Sequence, residues 1–239
     1  MPVVGVISDV HANREALSAV VFDLPGHIES VLCLGDLVGY GADPAWCINL
    51  VRSSGWLTIA GNHDRACTNP IAMQRFNPDA ADCIRWTINT LSDDEMVWLR
   101  TLNSAATYGG AMLVHGSPRD PTYEYVLDTI TAGENLSLVG RSLCFHGHSH
   151  VPGIFERIGL AVRHSYAIGC VELGRGLLIN PGSVGQPRDG DPDASYGLWD
   201  ITRRTFEFRR VKYDREATKY AMARAGLPLR LGNRLDRGR

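Results

Sequence analysis

Aspartate, asparagine and histidine side chains follow five short apolar runs of this sequence. The runs are VVGVIS, SVLCLG, LTIAG, AMLV and SLCF. The residues with metal-binding groups that come after them are Asp9, His11, Asp36, Asn62, His115, His148 and His150. Carboxylate, imidazole and amide-oxygen donors without a thiolate suit Mn²⁺, Fe, Zn²⁺ or Mg²⁺ in a hydrolytic site. The residue types therefore predict a metal centre.

The number of donors bears on the number of ions. Seven groups exceed the needs of one tetrahedral ion, but they suffice for two ions if one carboxylate bridges them. Two ions about 3.5 to 4 Å apart can hold an activated hydroxide and clamp the oxygens of an in-line displacement at phosphorus. We therefore expect hydrolysis of a phosphodiester or phosphomonoester by in-line attack of a metal-bridging hydroxide.

These donors meet only if the apolar runs are neighbouring strands of one sheet. His11 and Asp36 are 25 residues apart, and Asp36 and Asn62 are 26 residues apart. Each separation accommodates a crossover helix and the next parallel strand. Because ligands bind beyond the carboxyl ends of such strands, the spacing predicts convergence at one edge of the sheet.

Apolar periodicity predicts the individual elements. Strands are expected at 3–8, 31–34, 57–60, 111–114 and 142–145, with several more between 152 and 211. Helices are expected at 13–24 with an Asn cap, from Pro44, twice between 78 and 102 with a Ser92–Glu95 capping box, and from Asp214 to a stop at Gly226 and Pro228; residues 229–239 are expected as a short helix or a loose tail. A change of phase between Phe208 and Val211 predicts a bulge or a strand end.

Composition is that of an ordinary globular protein. The 239 residues contain 24 Lys and Arg against 26 Asp and Glu, with 44% hydrophobic residues, which excludes intrinsic disorder and a globally basic nucleic-acid coat. One domain over 1–239 is expected. It includes a basic C-terminal segment, 202–239, with 12 Lys and Arg against 4 Asp and Glu. Contact with the acidic body is the favoured explanation for that segment, and nucleic-acid binding is disfavoured without being excluded.

Targeting and redox features are sparse. No apolar run has the length of a transmembrane helix, and the N-terminal run lacks the basic start of a signal peptide, so no membrane association is expected. The six cysteines form no CxxC pair and are interpreted as reduced core residues, which favours a cytoplasmic location. His27 and His164 are interpreted as surface residues, and His146 as a packing residue beside the ligands.

In its motifs the sequence resembles the calcineurin-like metallophosphoesterases. The ordered set DVH at 9–11, GD at 35–36, GNHD at 61–64, VHGS from 114 and GHSH at 147–150 carries the resemblance. SDVHAN and GDLVGYGADP are similar to a bacterial branch of small phosphodiesterases related to diadenosine tetraphosphatases and Ser/Thr protein phosphatases. The resemblance implies an α/β fold, a two-sheet β-sandwich flanked by helices, with a dimetal site at the strand ends.

The resemblance also implies a role for each donor. Asp9, His11 and His150 would bind one ion, Asn62, His115 and His148 the other, and Asp36 would bridge them. His63 matches a histidine that protonates the leaving oxygen or stabilises phosphoryl charge, and Asp64 is the candidate to orient it. Mn²⁺ is the favoured metal, with Fe, Zn²⁺, Ni²⁺, Co²⁺ or Mg²⁺ as alternatives.

Substrate contacts and function leave alternatives open. Residues on loops beside the ligands are candidates to touch a small phosphorylated substrate. They are Asn13, Arg65, Ser117 and Arg119, and Tyr40 and Ser183 also lie on loops beside the ligands. GDLVGYG lacks the Arg and Asp of the protein-phosphatase motif GDxxDRG, which argues against carrying over protein-phosphatase or diadenosine-tetraphosphatase activity. A scaffold that has lost catalysis and a nuclease remain the alternative functions.

Overall fold

Two six-stranded mixed sheets form the body of the protein. The computed structural model describes residues 3–69, 71–166 and 169–239. The strands within these ranges are β1 (Val3–Ile7), β2 (Ser30–Cys33), β3 (Leu57–Thr58), β4 (Ala105–Tyr108), β5 (Ala111–Val114), β6 (Leu143–Phe145), β7 (Gly153–Ile158), β8 (Ala161–Ser165), β9 (Gly169–Glu172), β10 (Leu177–Asn180), β11 (Ala194–Asp200) and β12 (Thr205–Val211). The helices there are α1 (Arg14–Asp23), α2 (Pro44–Ser53), α3 (Asn62–Thr68), α4 (Pro78–Thr90), α5 (Asp93–Thr101), α6 (Thr129–Val139), α7 (Arg215–Arg224) and α8 (Leu229–Leu235), with a 3₁₀ turn at Ala72–Arg75.

Capping side chains start the helices where the sequence indicates. The Asn13 side chain accepts the Ala16 N–H at the start of α1. At α5 the Ser92 N–H donates to the Glu95 carboxylate at 2.9 Å, and the Ser92 hydroxyl accepts the Glu95 N–H, which is the expected capping box. These bonds satisfy N–H groups that have no partner within the helix.

The strand order brings the expected edge together. The first sheet has the order β3-β2-β1-β11-β12-β9, in which β1, β2 and β3 run parallel. The second has the order β4-β5-β6-β10-β7-β8, in which β5, β6 and β10 run parallel. The carboxyl ends of the parallel strands in both sheets carry the candidate ligands, so the site is assembled from two sheets rather than from one.

Both faces of the central strands are buried, which explains their nearly continuous apolar sequence. In β2, Leu32 belongs to the core between the sheets, whereas Val31 and Cys33 pack with the helices on the outer face. The same arrangement accounts for the phase change in β12. Phe208 lies in the core between the sheets, and Val211 packs on the helical side.

Two local expectations are corrected. The register between β11 and β12 is continuous from Thr205 to Val211, so the expected bulge is absent and the strand ends at Val211. Strand β3 has only two residues, because the Ala60 N–H donates to the Asn103 carbonyl and the chain then turns into α3. Of the expected strand 57–60, only Leu57 and Thr58 pair with β2.

The basic C-terminal segment is folded against the acidic body. Its ion pairs with residues before position 202 include Arg209–Asp23, Arg210–Asp189, Arg215–Asp193 and Arg230–Asp79. Leu231 and Leu235 of α8 are 2% and 3% exposed and pack with Tyr40. The segment therefore consists of strand β12 and a docked helix pair, and residues 229–235 form the short helix α8 rather than a loose tail.

Several other expectations can be checked residue by residue. Five of the cysteines are buried and free, but Cys170 is exposed, so the core interpretation is wrong for that residue. His27 is exposed as expected, whereas His164 is half-buried and stacks on Phe155 with ring centroids 4.1 Å apart. Within the described ranges, no helix combines the length and apolar character needed to cross a membrane.

Candidate metal centre

Hydrogen bonds between loops hold the candidate ligands at the strand ends. The Asp9 N–H donates to the Gly35 carbonyl at 3.0 Å, and the His11 N–H donates to the Asp36 carbonyl at 2.8 Å. In the other sheet the Gly147 N–H donates to the His115 carbonyl at 2.9 Å. The loops that carry the ligands therefore fix one another.

The backbone at the ligands is strained. Five of the seven candidate ligands have a positive φ between 51° and 67°. They are Asp9, His11, Asp36, His148 and His150. For residues other than glycine such conformations cost about 1 to 3 kcal/mol each and persist where the surrounding structure enforces them, which is typical of functional sites.

The first ligand group combines one carboxylate and two imidazoles. His11 Nε2 lies 3.1 Å from His150 Nε2, and His150 Nε2 lies 3.2 Å from Asp9 Oδ1. All three side chains are buried. Bonds of about 2.1 Å to a common ion would place neighbouring donor atoms roughly 3.0 to 3.5 Å apart, so the two distances fit a shared cation.

The second ligand group is centred on His115. Its Nε2 lies 3.0 Å from Asn62 Oδ1, 3.1 Å from His148 Nδ1 and 3.3 Å from Asp36 Oδ2. These spacings again match the edges of a coordination polyhedron. Asn62 is the one amide in a set of ligands otherwise made of imidazole and carboxylate groups, and only its side-chain oxygen can bind a cation.

Asp36 connects the two groups. Its Oδ2 lies 3.7 Å from His11 Nε2 and 3.3 Å from His115 Nε2, while its Oδ1 accepts the backbone N–H of His63 at 2.8 Å. One oxygen is thus held by the backbone, and the other faces both ligand groups. This is the position that a bridging carboxylate requires.

Backbone carbonyls fix the tautomers of the four histidines. His11 Nδ1 lies 3.3 Å from the Val38 carbonyl and His150 Nδ1 lies 2.6 Å from the Gln186 carbonyl. The matching bonds in the second group join His115 Nδ1 to Leu34 O and His148 Nε2 to Tyr123 O. A carbonyl only accepts, so each of these ring nitrogens donates.

The tautomers explain why the centre fits cations. In the neutral rings of His11 and His150 the two nitrogens that face each other at 3.1 Å both carry lone pairs. Two acceptors at this distance repel unless a cation lies between them. The donor set and the opposed lone pairs therefore fit divalent metal ions.

The protonation state of each histidine depends on its burial and on neighbouring carboxylates. Burial holds the pKa of His11 well below its ordinary value and lowers that of His148 to about 3, so both rings are neutral. Burial opposes protonation of His115 too, but the carboxylates of Asp36 and Asp9 raise its pKa to about 9. In the metal-free centre this proton supplies positive charge between the carboxylates, and a metal ion bound at His115 Nε2 would replace it.

Comparison with known proteins identifies the family. The family model described as the calcineurin-like phosphoesterase superfamily domain matches residues 3–204. An uncharacterised protein of Methanocaldococcus jannaschii is 36% identical over 247 residues, covering 99% of this chain and 98% of that protein. The chain belongs to the calcineurin-like phosphoesterase superfamily. Both the expected family and the expected fold are thereby confirmed.

Solved structures agree with this assignment. A metallophosphoesterase from Sphaerobacter thermophilus is 38% identical to this protein, with a TM-score of 0.86 over 100% of this chain and 99% of that one. A hypothetical protein from Pyrococcus horikoshii has the same fold at 21% identity, with a TM-score of 0.82 and the same coverage. The family implies divalent metal ions, and the two ligand groups of this protein are the candidates to hold them.

His63 lies beside the ligands and lines an open pocket. Its ring centroid is 4.8 Å from that of His11 and 4.6 Å from that of Tyr40. Its Nδ1 is buried without a hydrogen-bond partner. Gly39 has a φ of +86°, and a Cβ at that position would collide with the imidazole, so glycine is required for His63 to pack there. Burial lowers the pKa of His63 to about 4.

Asp64 is placed differently from the expectation. Its carboxylate accepts the backbone N–H groups of Asp36, Gly61 and Val38 at 2.8, 2.9 and 3.2 Å. No hydrogen bond joins it to the His63 ring, so the structure does not bear out an orienting contact. Asp64 instead positions the loop that carries Asp36.

Asn13 and Ser183, two of the expected substrate residues, form hydrogen bonds with backbone groups instead. Asn13 is buried, donates to the Gly185 carbonyl at 2.9 Å and caps α1. The Ser183 hydroxyl donates to the Asp9 carbonyl at 2.8 Å. Both side chains hold the Asp9 loop in place and neither lines the pocket beside His63.

The other expected substrate residues also point elsewhere. Arg65 donates to the Leu102 carbonyl at 2.7 Å. The Ser117 hydroxyl donates to Glu124 at 2.6 Å, and Arg119 forms ion pairs with Glu124 and Glu134. The structure brings none of the three to the lining of the pocket, in contrast to Tyr40.

The pocket itself has a volume of about 230 Å³ and an aromatic wall. Its lining comprises Tyr40, Asn62, His63, Arg75, Phe76, Asn77, Ala80, Tyr123, Tyr125 and His148. Tyr125 stacks on the His148 ring with centroids 3.7 Å apart, and the Arg75 guanidinium lies 4.5 Å from the Tyr123 ring centroid. Sequence reasoning missed Arg75, Tyr123 and Tyr125, because these residues stand several positions away from the ligand motifs.

Proposed function

We propose that this protein hydrolyses a phosphodiester or phosphomonoester at a centre of two divalent metal ions, with Mn²⁺ as the favoured metal. The observation that carries the proposal is the pair of ligand groups that share Asp36 Oδ2, at 3.7 Å from His11 and 3.3 Å from His115. When bound, the two ions would neutralise phosphoryl oxygens and lower the pKa of a water molecule toward neutrality.

The chain's own residues prepare the centre for this chemistry. Asp9, Asp36 and four histidines with fixed tautomers hold their donor atoms toward two positions, so little rearrangement is required on binding. Hydrogen bonds between the loops enforce the strained backbone at five of these residues and so keep that arrangement in the absence of a ligand. Asn62 adds a neutral oxygen donor.

His63 is the proposed donor to the leaving oxygen. Its ring lines the pocket and its backbone N–H holds Asp36, so its position is tied to the bridging carboxylate. The low pKa arises first from burial, and a phosphate anion beside the ring would favour the imidazolium. The imidazolium would then give its proton to the leaving oxygen.

The pocket beside His63 is the proposed location of the ester's organic group. Tyr40, Phe76, Tyr123 and Tyr125 give it faces on which a flat group can stack. Tyr125 is 45% exposed, so one part of its ring is open to a ligand. A volume of about 230 Å³ suits a single small group.

Metal removal tests the proposal. The isolated protein is expected to contain close to two transition-metal ions per chain, and chelation is expected to abolish hydrolysis of bis(nitrophenyl) phosphate and nitrophenyl phosphate until Mn²⁺ is added. His115→Ala is expected to lose metal and activity, whereas His27→Ala, at an exposed position outside the site, is the matched control. Undiminished activity in metal-stripped protein contradicts the proposal. A protein with both sites filled that hydrolyses nothing in a broad panel is instead a scaffold.

A further inference from the structure

Arg188 is a half-buried arginine with an unused hydrogen-bond donor. One of its terminal nitrogens donates to the Gln186 side chain at 2.8 Å, but its Nε is buried without a partner. Among the described residues no carboxylate lies within ion-pair distance of its guanidinium, although acidic residues follow it directly in sequence. Those acidic residues are occupied, because Asp189 pairs with Arg210 and Asp193 pairs with Arg215.

The guanidinium of Arg188 lies at the edge of the metal centre. Its backbone N–H donates to the His150 carbonyl at 3.2 Å, and its central carbon is 5.8 Å from the ring centroid of Tyr40. The Tyr40 ring in turn lies 4.7 Å from His11 and 4.6 Å from His63. The positive charge is therefore one aromatic ring away from a ligand and from the proposed proton donor.

The Arg188 guanidinium at the edge of the metal centre favours binding of an anion. The neighbouring centre is built to bind two divalent ions, which would repel a guanidinium, and a buried N–H without a partner costs free energy. An anion that contacts both the ions and Arg188 removes both penalties. The planar fork of a guanidinium matches two oxygens of a phosphate.

The geometry points to Arg188 as the residue that binds the phosphoryl group of the substrate from the side opposite the metal ions. This inference rests on the proposed function and names a further substrate-binding residue for it. Contacts made by the residues that follow Arg188 hold its loop in place. The Gly190 N–H donates to the Gly238 carbonyl at 2.9 Å, and the ion pairs of Asp189 and Asp193 anchor the same loop.

Binding of inorganic phosphate tests the inference without requiring turnover. Titration calorimetry of the full chain loaded with Mn²⁺ would compare wild type with Arg188→Met and Arg188→Lys. Loss of a charge-assisted hydrogen bond is expected to raise the Kd of phosphate roughly 10- to 100-fold in Arg188→Met. Arg188→Lys should show a smaller increase, since it keeps the charge but loses the fork. Arg163→Met removes an exposed arginine paired with Glu156 and is the control expected to leave the Kd unchanged.

Metal content separates binding from support of the ligands. Arg188 variants are expected to retain as many ions as wild type, and for active protein the KM should rise with the Kd. An unchanged phosphate Kd in Arg188→Met overturns the inference, and so does a parallel loss of metal, which would make Arg188 a support for His150. If wild type hydrolyses no ester yet binds phosphate through Arg188, the proposed function fails and the inference stands. If Arg188→Met does not fold, Arg188→Lys with a wild-type Kd overturns it.

Discussion

The carboxylate of Asp64 accepts the backbone N–H of Asp36 at 2.8 Å. The same carboxylate accepts the N–H groups of Gly61 and Val38. It thus joins the end of β2 to the start of α3, and three buried donors depend on it. Burial, followed by the charge of Asp36, raises the pKa of Asp64 to about 7. Asp64 acts on the bridging ligand through the backbone and not on its neighbour His63.

Asp64→Asn is expected to destabilise the fold and weaken metal binding. The amide group replaces one acceptor oxygen by a donor, which leaves a buried N–H unpaired at a cost of about 1 to 3 kcal/mol. The free energy of unfolding from denaturant titration and the metal content check this outcome. A variant that keeps both ions but becomes sensitive to the leaving group would restore the role of orienting His63.

The convergence of the candidate ligands could be predicted from the sequence, whereas their distribution over two sheets and the direction of neighbouring side chains could not. The ligands follow strands whose carboxyl ends meet, so residues such as Asp9 and His150 converge wherever the parallel order holds. Arg65 shows the limit of adjacency. It is two residues after His63 in α3, which at 3.6 residues per turn places it on the opposite side of the helix, where it binds the Leu102 carbonyl.

Residues contributed by distant loops could not be predicted by the same reasoning. Arg188 follows a strand in the second half of the chain and reaches the centre only because β10 lies beside β6 in the sheet. Asn13 was expected to touch substrate because it follows His11 closely, yet its amide is used by Gly185 and α1. The role of Asn13 is therefore decided by its hydrogen bonds, one of which joins it to a residue 172 positions away in the sequence.

Asp36→Asn is expected to weaken both metal positions together. Asp36 Oδ2 faces His11 and His115, so its charge serves both ligand groups. His150→Ala and His148→Ala should each affect mainly one position. We expect the affinity of both positions to fall by at least about 10-fold in Asp36→Asn, as measured by metal analysis after dialysis against a weak chelator. Retention of both ions at wild-type affinity would remove Asp36 from the bridge.

His63→Ala is expected to keep both ions and to lose rate in proportion to the basicity of the leaving group. General acid catalysis contributes about 10²- to 10⁴-fold, and a nitrophenolate departs with little assistance while an alkoxide needs a proton. The slope of log rate against leaving-group pKa should therefore steepen. Equal losses on nitrophenyl and alkyl esters would instead mean that His63 stabilises phosphoryl charge. A loss of metal would make it a ligand, since its ring lies close to His11 and Asp36.

The stability of the metal-free protein is expected to fall as the pH drops from 6.5 to 4. His146 is 1% exposed and neither ring nitrogen has a partner. Burial lowers its pKa to about 4 from an ordinary 6.5, so below pH 6.5 the unfolded chain binds a proton that the folded chain does not. His146→Leu should reduce the slope by about 1.4 kcal/mol per pH unit in this window. Denaturant titrations from pH 4 to 7 would measure it, with the exposed His27→Leu as control. Identical slopes for wild type and His146→Leu would show that His146 does not titrate in this way.

Deletion of residues 229–239 is expected to lower stability and weaken phosphate binding while leaving metal content unchanged. The segment buries Leu231 and Leu235 against Tyr40, and its Gly238 carbonyl accepts the N–H of Gly190 on the loop of Arg188. Burial of a leucine side chain contributes about 1.5 to 3 kcal/mol, so the deletion should lower the melting temperature clearly. Arg230→Gln is the control for charge alone, because its exposed pair with Asp79 is worth about 0 to 1 kcal/mol. The segment supplies none of the candidate ligands, and both ions should therefore remain.

A truncated protein with wild-type stability and phosphate affinity would mean that the segment is only a surface counter-charge. Steeply salt-dependent cleavage of oligonucleotides that is lost on truncation would instead favour a nuclease, since phosphate contacts release counterions.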